Sequence, residues 1–210
     1  MKRCVILASG PVEEPGSLRP LLREGDFYIA ADGGLRLAAR LGIIPALVVA
    51  DFDSIGREEA ERRGVPVFPL PCEKDDTDTL AAVRIAYEKG FRDFLLLGCT
   101  GGRLDHTMAA VCVLEWLLNR GARALLADER NRLELLAPGT HRIEPAPGWK
   151  LSLLAYGGPV TGLTERYVKY ELTDATLTTE FPVGVSNEFT SEPVEIRFMT
   201  GILMVFRSKD

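Results

Sequence analysis

The chain has 210 residues, of which 46% are hydrophobic and 26% charged; 25 lysines and arginines against 30 aspartates and glutamates give a formal net charge of −5. This length can bury a sizeable core and fits one large or two small domains. The sequence has no basic run and no basic stripe interleaved with aromatic residues. It therefore argues against a nucleic-acid partner and favours a small anionic ligand bound with a metal ion.

The N-terminus and the cysteines indicate a soluble, cytoplasmic protein. Residues 1–3 (Met-Lys-Arg) lead into a short apolar run that ends at Gly10 and Pro11, too short for a signal peptide, and no apolar run could cross a membrane. The four cysteines stand singly, without a CxxC motif or a zinc-type pairing with the two histidines. We therefore expect them to be reduced.

Strand-like and amphipathic helical segments alternate up to about residue 128, which is typical of an α/β fold with a mostly parallel sheet. The strand-like runs are 4–8, 27–31, 47–50, 65–70, 94–97 and 124–127. The clearest helices cover about 35–41, 78–89 and 104–119, and each is followed by a glycine that can adopt the left-handed cap conformation. Thr77 is predicted to cap the second helix at its N-terminus.

After residue 130 the helical periodicity disappears, and short β-rich runs are separated by Pro, Gly and Asn turns. These runs cover 149–155, 175–181, 194–198 and 202–206. The pattern predicts a β-sandwich or small barrel, with the domain boundary near residues 131–140.

Four acidic or glycine-rich clusters follow predicted strands in the first half of the chain. They are residues 32–34 (Asp-Gly-Gly), 51–54 (Asp-Phe-Asp-Ser), 74–78 (Lys-Asp-Asp-Thr-Asp) and 98–106 (Gly-Cys-Thr-Gly-Gly-Arg-Leu-Asp-His). Because loops at the carboxyl ends of parallel strands converge on one crevice, we expect these clusters to surround one ligand. Carboxylates hold Mg²⁺, glycines let backbone N–H groups approach phosphates, and arginine clamps phosphate oxygens, so the set indicates phosphoryl or pyrophosphoryl transfer.

Three of these clusters also have a plainer interpretation. Asp51 and Asp53 lie on the same side of an extended chain and can share a cation, or they belong to an acidic turn before a Ser54 helix cap. The carboxylates of 74–78 repel one another unless a cation or a helix N-terminus compensates. The glycines before Arg103 form a phosphate loop or a simple turn, and His106 either contacts the ligand or orients Asp105. In the second half, 167–170 and 185–189 taken alone indicate solvated turns.

Four motifs together resemble the thiamine pyrophosphokinase family, and the resemblance spans nearly the whole chain. In order they are Asp51-Phe52-Asp53-Ser54, Lys74-Asp75-x-Thr77-Asp78, Gly98-x-x-Gly101-Gly102-Arg103-x-Asp105-His106 and Ser186-Asn187-Glu188-Phe189. The resemblance implies an N-terminal three-layer α/β domain over 1–132 that binds nucleotide, and a C-terminal β-sandwich over 133–210 that binds thiamine. It also implies a homodimer with thiamine near the subunit interface, Mg²⁺ as cofactor, and transfer of pyrophosphate from ATP to the thiamine hydroxyl, releasing AMP.

The same resemblance implies roles for individual residues. The implied catalytic residues are Asp51, Asp53, Asp78, Arg103 and Asp105, and the four aspartates among them are the implied metal ligands. The implied ATP-binding residues are Asp32, Gly33, Asp53, Ser54, Lys74, Asp75, Thr77, Asp78, Gly101, Gly102, Arg103 and His106. The implied thiamine-binding residues are Thr164, Tyr170, Ser186 and Asn187. The chain departs from the family pattern at Ala46, Ala50 and Tyr167, where the family has Asp, Gly and Gly.

Two alternative functions use the same residues. A Mg²⁺-dependent phosphohydrolase would use water as the acceptor, and a non-catalytic nucleotide- or thiamine-binding module would keep the pocket without the chemistry. For the transferase, either Asp78 or Asp105 could accept the proton of the thiamine hydroxyl, and the sequence does not choose between them.

Overall fold

The computed structural model describes residues 2–51, 60–70 and 76–210, and of Asp51 it describes the backbone alone. The protein has a mixed α/β fold with a large sheet that combines parallel and antiparallel pairings. Its contacts divide the chain into two compact units, Met1–Glu129 and Arg130–Asp210. Within the described residues, no helix combines the length and the apolar character needed to cross a bilayer.

The N-terminal unit contains a six-stranded arrangement in which the described pairings are all parallel. The strands are β1 (Cys4–Leu7), β2 (Phe27–Ala31), β3 (Leu47–Asp51), β4 (Val67–Leu70), β5 (Asp93–Leu97) and β6 (Arg123–Ala127). Each corresponds to one of the six predicted runs. The fully buried strand β1 and the largely buried β5 are continuous apolar segments, which is the pattern expected for strands covered on both faces.

The order of these strands, β4-β3-β2-β1-β5-β6, places a topological switch beside β1. The chain builds outward from β1 through β2, β3 and β4, and then returns to the other side of β1 to form β5 and β6. Strand β1 is completely buried. The connections that leave the carboxyl ends of β1 and β5 therefore run in opposite directions, which opens a crevice where α/β proteins bind their ligands.

Three α-helices of the N-terminal unit match the predicted ones, and one 3-10 helix was not predicted. The α-helices are α1 (Gly34–Leu41), α2 (Asp78–Glu88) and α3 (Leu104–Leu118), and the 3-10 helix covers Pro15–Leu21. Helix α1 ends at Gly42, whose φ of 72° is the predicted left-handed cap. Leu37 and Leu41 of α1 join the core formed by Val5 and Leu7 of β1. This packing places the start of α1 at the carboxyl edge of the sheet.

Gly34 allows α1 to begin directly against β1. A Cβ atom at this position would lie 1.8 Å from the carbonyl oxygen of Leu7, far inside van der Waals contact. The close approach of the first helical turn to the strand therefore requires glycine. The 32–34 cluster owes its glycines at least partly to packing.

The C-terminal unit is built from seven strands whose described pairings are antiparallel. They are β7 (Asn131–Leu136), β8 (Gly139–Ile143), β9 (Lys150–Arg166), β10 (Leu172–Leu177), β11 (Asn187–Glu188), β12 (Val194–Phe198) and β13 (Thr200–Ser208). Strands β7 and β8 occupy the region that the sequence suggested as a boundary. The long strand β9 pairs with β13 and β11 in its first part and with β10 and β12 in its last part. Side chains from both parts share one apolar core.

Candidate active site

The carboxyl ends of β1 and β5 are joined by backbone hydrogen bonds at the switch point. The N–H of Ala8 donates to the Leu97 carbonyl at 2.8 Å, and the N–H of Gly10 donates to the Gly98 carbonyl at 2.6 Å. A Cβ atom on Gly10 would lie 2.5 Å from the same Gly98 oxygen, so the approach of the two loops requires glycine at this position. The predicted glycine-rich loop after β5 is thus held against the loop after β1.

A pocket of about 240 Å³ opens where these two loops meet the starts of α2 and α3. Its lining includes Gly10, Gly98, Gly102, Thr77, Arg103 and His106. Four of these were predicted site residues, and Gly98 belongs to the predicted loop. The structure therefore brings residues 98–106 and the start of the helix after 74–78 to one site, as expected for loops at the carboxyl edge of a parallel sheet.

Arg103 and Asp105 form a two-point ion pair at the edge of this pocket. Arg103 Nε donates to Asp105 Oδ1 at 3.1 Å, and Arg103 Nη2 donates to Asp105 Oδ2 at 2.5 Å. The backbone N–H of His106 also donates to Asp105 Oδ1, at 2.9 Å. The hydrogen bond from Arg103 lowers the pKa of the Asp105 carboxyl and raises the pKa of Arg103 itself. Because both side chains are largely exposed, the attraction between them is screened by water.

Helix α2 begins at the predicted cap. Thr77 Oγ1 accepts a hydrogen bond from the N–H of Leu80 at 3.2 Å, and its backbone is extended. Asp78 follows in the first turn of the helix, where the positive end of the helix dipole favours a carboxylate. Thr77 and Thr79 line the pocket on either side of Asp78 in sequence. The backbone thus places Asp78 beside the crevice.

Behind the pocket, a threonine and a cysteine shape the loop after β5. Thr100 Oγ1 donates to Asp128 Oδ2 at 2.7 Å, which ties this loop to the residue after β6. Cys99 is buried, and burial raises the pKa of its thiol to about 12. A thiol with this pKa is protonated at neutral pH and is therefore inert as a nucleophile.

Asp32 and Gly33 lie at the carboxyl edge of β2, as predicted. The N–H of Asp32 donates to the Val49 carbonyl at 2.8 Å, and its φ of 46° places it in the left-handed region. Gly33 precedes α1 and lines a second pocket of about 380 Å³, together with Arg36 and Arg40. Arg40 is held by the backbone carbonyls of Val12 and Glu13.

Several predicted site residues lie outside the described residues. They are Asp53, Ser54, Lys74 and Asp75, and of Asp51 only the backbone at the end of β3 is described. Within the described ranges, no group of three His, Cys, Asp or Glu side chains comes close enough to hold a metal ion. The predicted four-aspartate metal site therefore stays a prediction.

Gly101, another predicted site residue, has a φ of 80°, and a Cβ atom at this position would lie 3.2 Å from Pro11.

The predicted thiamine-side residues lie on β9, on β11 and in the turns beside them. Thr164 Oγ1 accepts from the N–H of Asp174 at 3.3 Å, and the N–H of Ser186 donates to Ser152 Oγ at 3.0 Å. The Tyr170 side chain is 62% exposed, with Lys169 Nζ 5.3 Å from the ring centroid. Of the four candidates, Tyr170 presents the largest free surface to a ligand.

Asn187 is buried, so the interpretation of 185–189 as a simple solvated turn is wrong at this residue. Its side-chain oxygen accepts from the backbone N–H groups of Tyr170 at 3.0 Å and Glu188 at 2.9 Å. Its side-chain nitrogen donates to the Tyr170 carbonyl at 2.9 Å and to Glu165 Oε2 at 3.2 Å. These four bonds use the full hydrogen-bonding capacity of the amide, so Asn187 holds the backbone of Tyr170 in this structure.

Tyr167 adopts a backbone conformation that glycine usually provides. Its φ is 63°, in the left-handed region where glycine is favoured. The turn therefore keeps the backbone shape that a glycine would give, although tyrosine occupies the position. The N–H of Tyr167 donates to Glu171 Oε1 at 2.9 Å, and its carbonyl accepts from Thr190 Oγ1 at 2.7 Å.

Sequence reasoning missed several polar residues that the structure places at these sites. Ser9, Thr79 and Thr107 line the pocket beside β1, and Glu165 lies under the 167–170 turn. The Gly-Pro pair directly after the β1 pattern was an available signal for the first of these. No sequence signal identified Glu165, because its role depends on a partner on another strand.

Comparison with known proteins covers both units. A family model described as "Thiamin pyrophosphokinase, catalytic domain" matches residues 18–126, and one described as "Thiamin pyrophosphokinase, vitamin B1 binding domain" matches residues 140–203. A thiamine pyrophosphokinase of Bacillus subtilis is 30% identical over 214 residues that cover all of both chains.

Solved structures agree with the sequence matches. The crystal structure of thiamine pyrophosphokinase from Bacillus subtilis has a TM-score of 0.89 at 28% identity, with all of both chains covered. Thiamin pyrophosphokinase from Geobacillus thermodenitrificans has a TM-score of 0.86 at 28% identity, covering 100% of this chain and 98% of that one. Because the two family models match both units and the Bacillus subtilis relative matches over the full length, the chain belongs to the thiamine pyrophosphokinase family.

Proposed function

We propose that this enzyme binds the phosphates of ATP in the pocket between β1 and β5 and transfers its pyrophosphoryl group to the hydroxyl of thiamine, releasing AMP. The observation that carries the assignment of the phosphate site is the position of the pocket, at the switch point of a parallel sheet. Gly98 and Gly102 line the pocket without a side chain, so phosphate oxygens can approach the backbone there. Arg103 supplies a planar cation at the rim.

Arg103 is prepared for this role by its pairing with Asp105. In the absence of nucleotide the carboxylate holds the guanidinium at the pocket rim through two hydrogen bonds. A phosphate, with more charge and more acceptor atoms than one carboxylate, can take over one or both of these bonds. Asp105 is then released to act on a cation or on the acceptor proton.

The donor set at this edge fits Mg²⁺, which prefers carboxylate oxygens and phosphates. Asp78 begins α2 next to the pocket-lining Thr77, and Asp105 lies in the first turn of α3, two residues after the pocket-lining Arg103. Asp51 ends β3, and Asp53 comes two residues later in the sequence. We assign these four aspartates as the residues that would hold the ion. When bound, Mg²⁺ would offset the charge on the phosphate oxygens.

The remaining phosphate contacts come from residues around the same loops. We assign them to Asp32, Gly33, Ser54, Lys74, Asp75, Thr77, Gly101, Gly102 and His106, together with the residues above. In the reaction the thiamine hydroxyl attacks the β-phosphorus in line, AMP leaves, and Asp78 or Asp105 accepts the hydroxyl proton. Orientation and electrostatic stabilisation carry such chemistry, so it needs no covalent intermediate. The inert Cys99 is consistent with this scheme.

Thiamine binds to the C-terminal unit in this proposal. Tyr170 is the main contact, because its exposed ring can stack on the cationic thiazolium or on the pyrimidine, a contact of about 0.5 to 2 kcal/mol. Thr164 and Ser186 are further contacts in this proposal, and Asn187 contributes through its hydrogen bonds to the backbone of Tyr170. We also propose that the N-terminal unit is a three-layer α/β domain, that the C-terminal unit is a β-sandwich, and that a homodimer completes the thiamine site.

Calorimetry with single variants tests the two halves of this proposal. Arg103→Ala should weaken the binding of a non-hydrolysable ATP analogue at least about tenfold, because a charge-assisted phosphate contact is worth roughly 1.5 to 3 kcal/mol. Tyr170→Ala should weaken thiamine about two- to thirtyfold and leave the analogue within about twofold. Tyr170→Phe is the matched control and should bind thiamine almost normally.

One result would contradict the assignment of Tyr170 as the thiamine-stacking residue. Unchanged thiamine affinity in Tyr170→Ala, with a loss in Tyr167→Ala, would make Tyr167 the stacking residue. For the phosphate site, normal nucleotide affinity in Arg103→Ala would remove Arg103 from it.

A further inference from the structure

A buried carboxyl group lies beneath the turn that carries Tyr170. Glu165 is 2% exposed, on the same face of β9 as the core residue Leu163. Its cross-strand neighbours, Leu172 on β10 and Ile196 on β12, are both apolar. An ionisable group is rarely placed in such a position without a specific partner, because burial of an unpaired charge is costly.

That partner is the amide of Asn187. Glu165 Oε2 accepts a hydrogen bond from Asn187 Nδ2 at 3.2 Å, while Glu165 Oε1 is buried and has no hydrogen-bond partner among the described residues. In this bond the Asn187 nitrogen faces β9, so the bond supports the same orientation of the amide that its backbone contacts require. In this orientation Asn187 forms hydrogen bonds with both the backbone N–H and the backbone carbonyl of Tyr170. The chain of contacts runs from Glu165 through Asn187 to the backbone of Tyr170.

We infer that Glu165 is a positioning residue for the thiamine-facing turn, acting through Asn187 to set the place from which the Tyr170 ring meets the substrate. The inference rests on the proposed contact between Tyr170 and thiamine. Glu165 itself is enclosed and touches no substrate in this scheme. Its effect should therefore appear in thiamine recognition and leave ATP binding and the chemical step largely unchanged.

The ionisation of Glu165 predicts a pH dependence of its positioning role. Burial, reinforced by the nearby Glu171, raises the pKa of Glu165 to about 7, while the bond from Asn187 opposes this rise. Glu171 is itself bound to Arg166, and the residues paired with Glu165 on β10 and β12 are apolar. When Glu165 ionises, its unpartnered Oε1 carries charge in an apolar site, which favours movement of the side chain towards water. The hydrogen bonds by which Asn187 holds the backbone of Tyr170 should then weaken.

Steady-state kinetics with three variants test this role. Glu165→Leu fills the space but offers no acceptor to Asn187, and we expect the KM for thiamine to rise about tenfold, the equivalent of one lost hydrogen bond. Its kcat and its KM for ATP should stay within about twofold of wild type. Glu165→Gln retains an acceptor oxygen and mimics the neutral carboxyl, so it should restore the thiamine KM at pH 6. Glu144→Gln changes an exposed carboxyl on another part of the unit and serves as the control.

The pH profile separates positioning from packing. The ratio of the thiamine KM of wild type to that of Glu165→Gln cancels the titration of the substrate, and it should rise as the pH passes through about 7. A variant that merely repacked the core would give a ratio independent of pH. A flat ratio, with a thiamine KM for Glu165→Leu within twofold of wild type, would overturn the inference.

Hydrogen exchange provides a readout that needs no catalysis. The Tyr170 N–H is bonded to the Asn187 side chain, and its exchange in a peptide over residues 166–172 should accelerate in Glu165→Leu and remain slow in Glu165→Gln. Unchanged exchange in both variants would show that Glu165 does not hold the turn. If the wild-type enzyme made no thiamine diphosphate, the proposed function would fail while the exchange result still judged the contact itself.

Discussion

Replacing Glu165 by glutamine should change how the stability of the enzyme depends on pH. In the folded protein burial raises the pKa of Glu165 from 4.5 to about 7. Between these values the unfolded chain releases the proton while the folded chain keeps it, so the unfolded state binds fewer protons and stability falls as the pH rises. At about 1.36 kcal/mol per pKa unit, the free energy of unfolding should decrease by about 3 kcal/mol between pH 4.5 and pH 7 on account of this group.

Urea denaturation of wild type and Glu165→Gln at a series of pH values measures this contribution directly. Subtracting the two curves removes the titration of all other carboxyl groups, and the stability of the variant relative to wild type should increase by about 2 to 3 kcal/mol from pH 5 to pH 8. The same comparison with Glu144→Gln, which alters an exposed carboxyl, should give a constant difference. If the difference for Glu165→Gln also stayed constant within about 0.5 kcal/mol, the carboxyl would not be neutral in the fold, and the reasoning would be refuted.

Substitutions at five further positions have defined outcomes. Asp53→Asn and Asp78→Asn should each lower turnover at least about a hundredfold at saturating Mg²⁺, because each removes charge stabilisation from the transferring group. Circular dichroism should be unaffected, and near-normal turnover would exclude the residue from the site. Thr77→Ala should lower the melting stability by about 1 kcal/mol through loss of the α2 cap, and an unchanged melting curve would contradict that role. Tyr167→Val should be about 1 to 2 kcal/mol less stable than Tyr167→Gly in denaturant titrations, since a β-branched residue is strained at φ 63°, and equal stabilities would argue against this backbone conformation. Gly34→Ala should prevent normal packing of α1 on β1, and a correctly folded variant of unchanged stability by the same titration would contradict the 1.8 Å approach.

The strands and helices of the N-terminal unit could be predicted because local signals determine them. Buried parallel strands such as β1 and β5 are continuous apolar runs, and the left-handed cap at Gly42 ends α1 in the sequence as in the structure. The 3-10 helix over Pro15–Leu21 carries no such signal, because its two prolines and its glycine also fit an irregular loop. The full length of β9 was missed for a related reason, since Gly157, Gly158 and Pro159 interrupt a pattern that continues as one strand.

In the site, too, residues set by local sequence signals could be predicted, and those set by contacts between distant strands could not. Arg103 and Asp105 are two residues apart, and their convergence with Thr77 at the pocket follows from the rule that loops at one sheet edge meet. The burial of Asn187 could not be read from its polar neighbours, because the carboxyl that it contacts is 22 residues away on another strand. Pairings of this kind depend on register across an antiparallel sheet, which single-residue properties do not specify.

The products formed from ATP, Mg²⁺ and thiamine test the central claim most directly. The purified enzyme should be incubated with all three, and the mixture resolved by mass, with a parallel reaction that lacks thiamine. The account predicts thiamine diphosphate and AMP in equal amounts, with no nucleotide breakdown when thiamine is omitted. Release of phosphate from ATP without an acceptor, or failure to form thiamine diphosphate in the complete mixture, would contradict it.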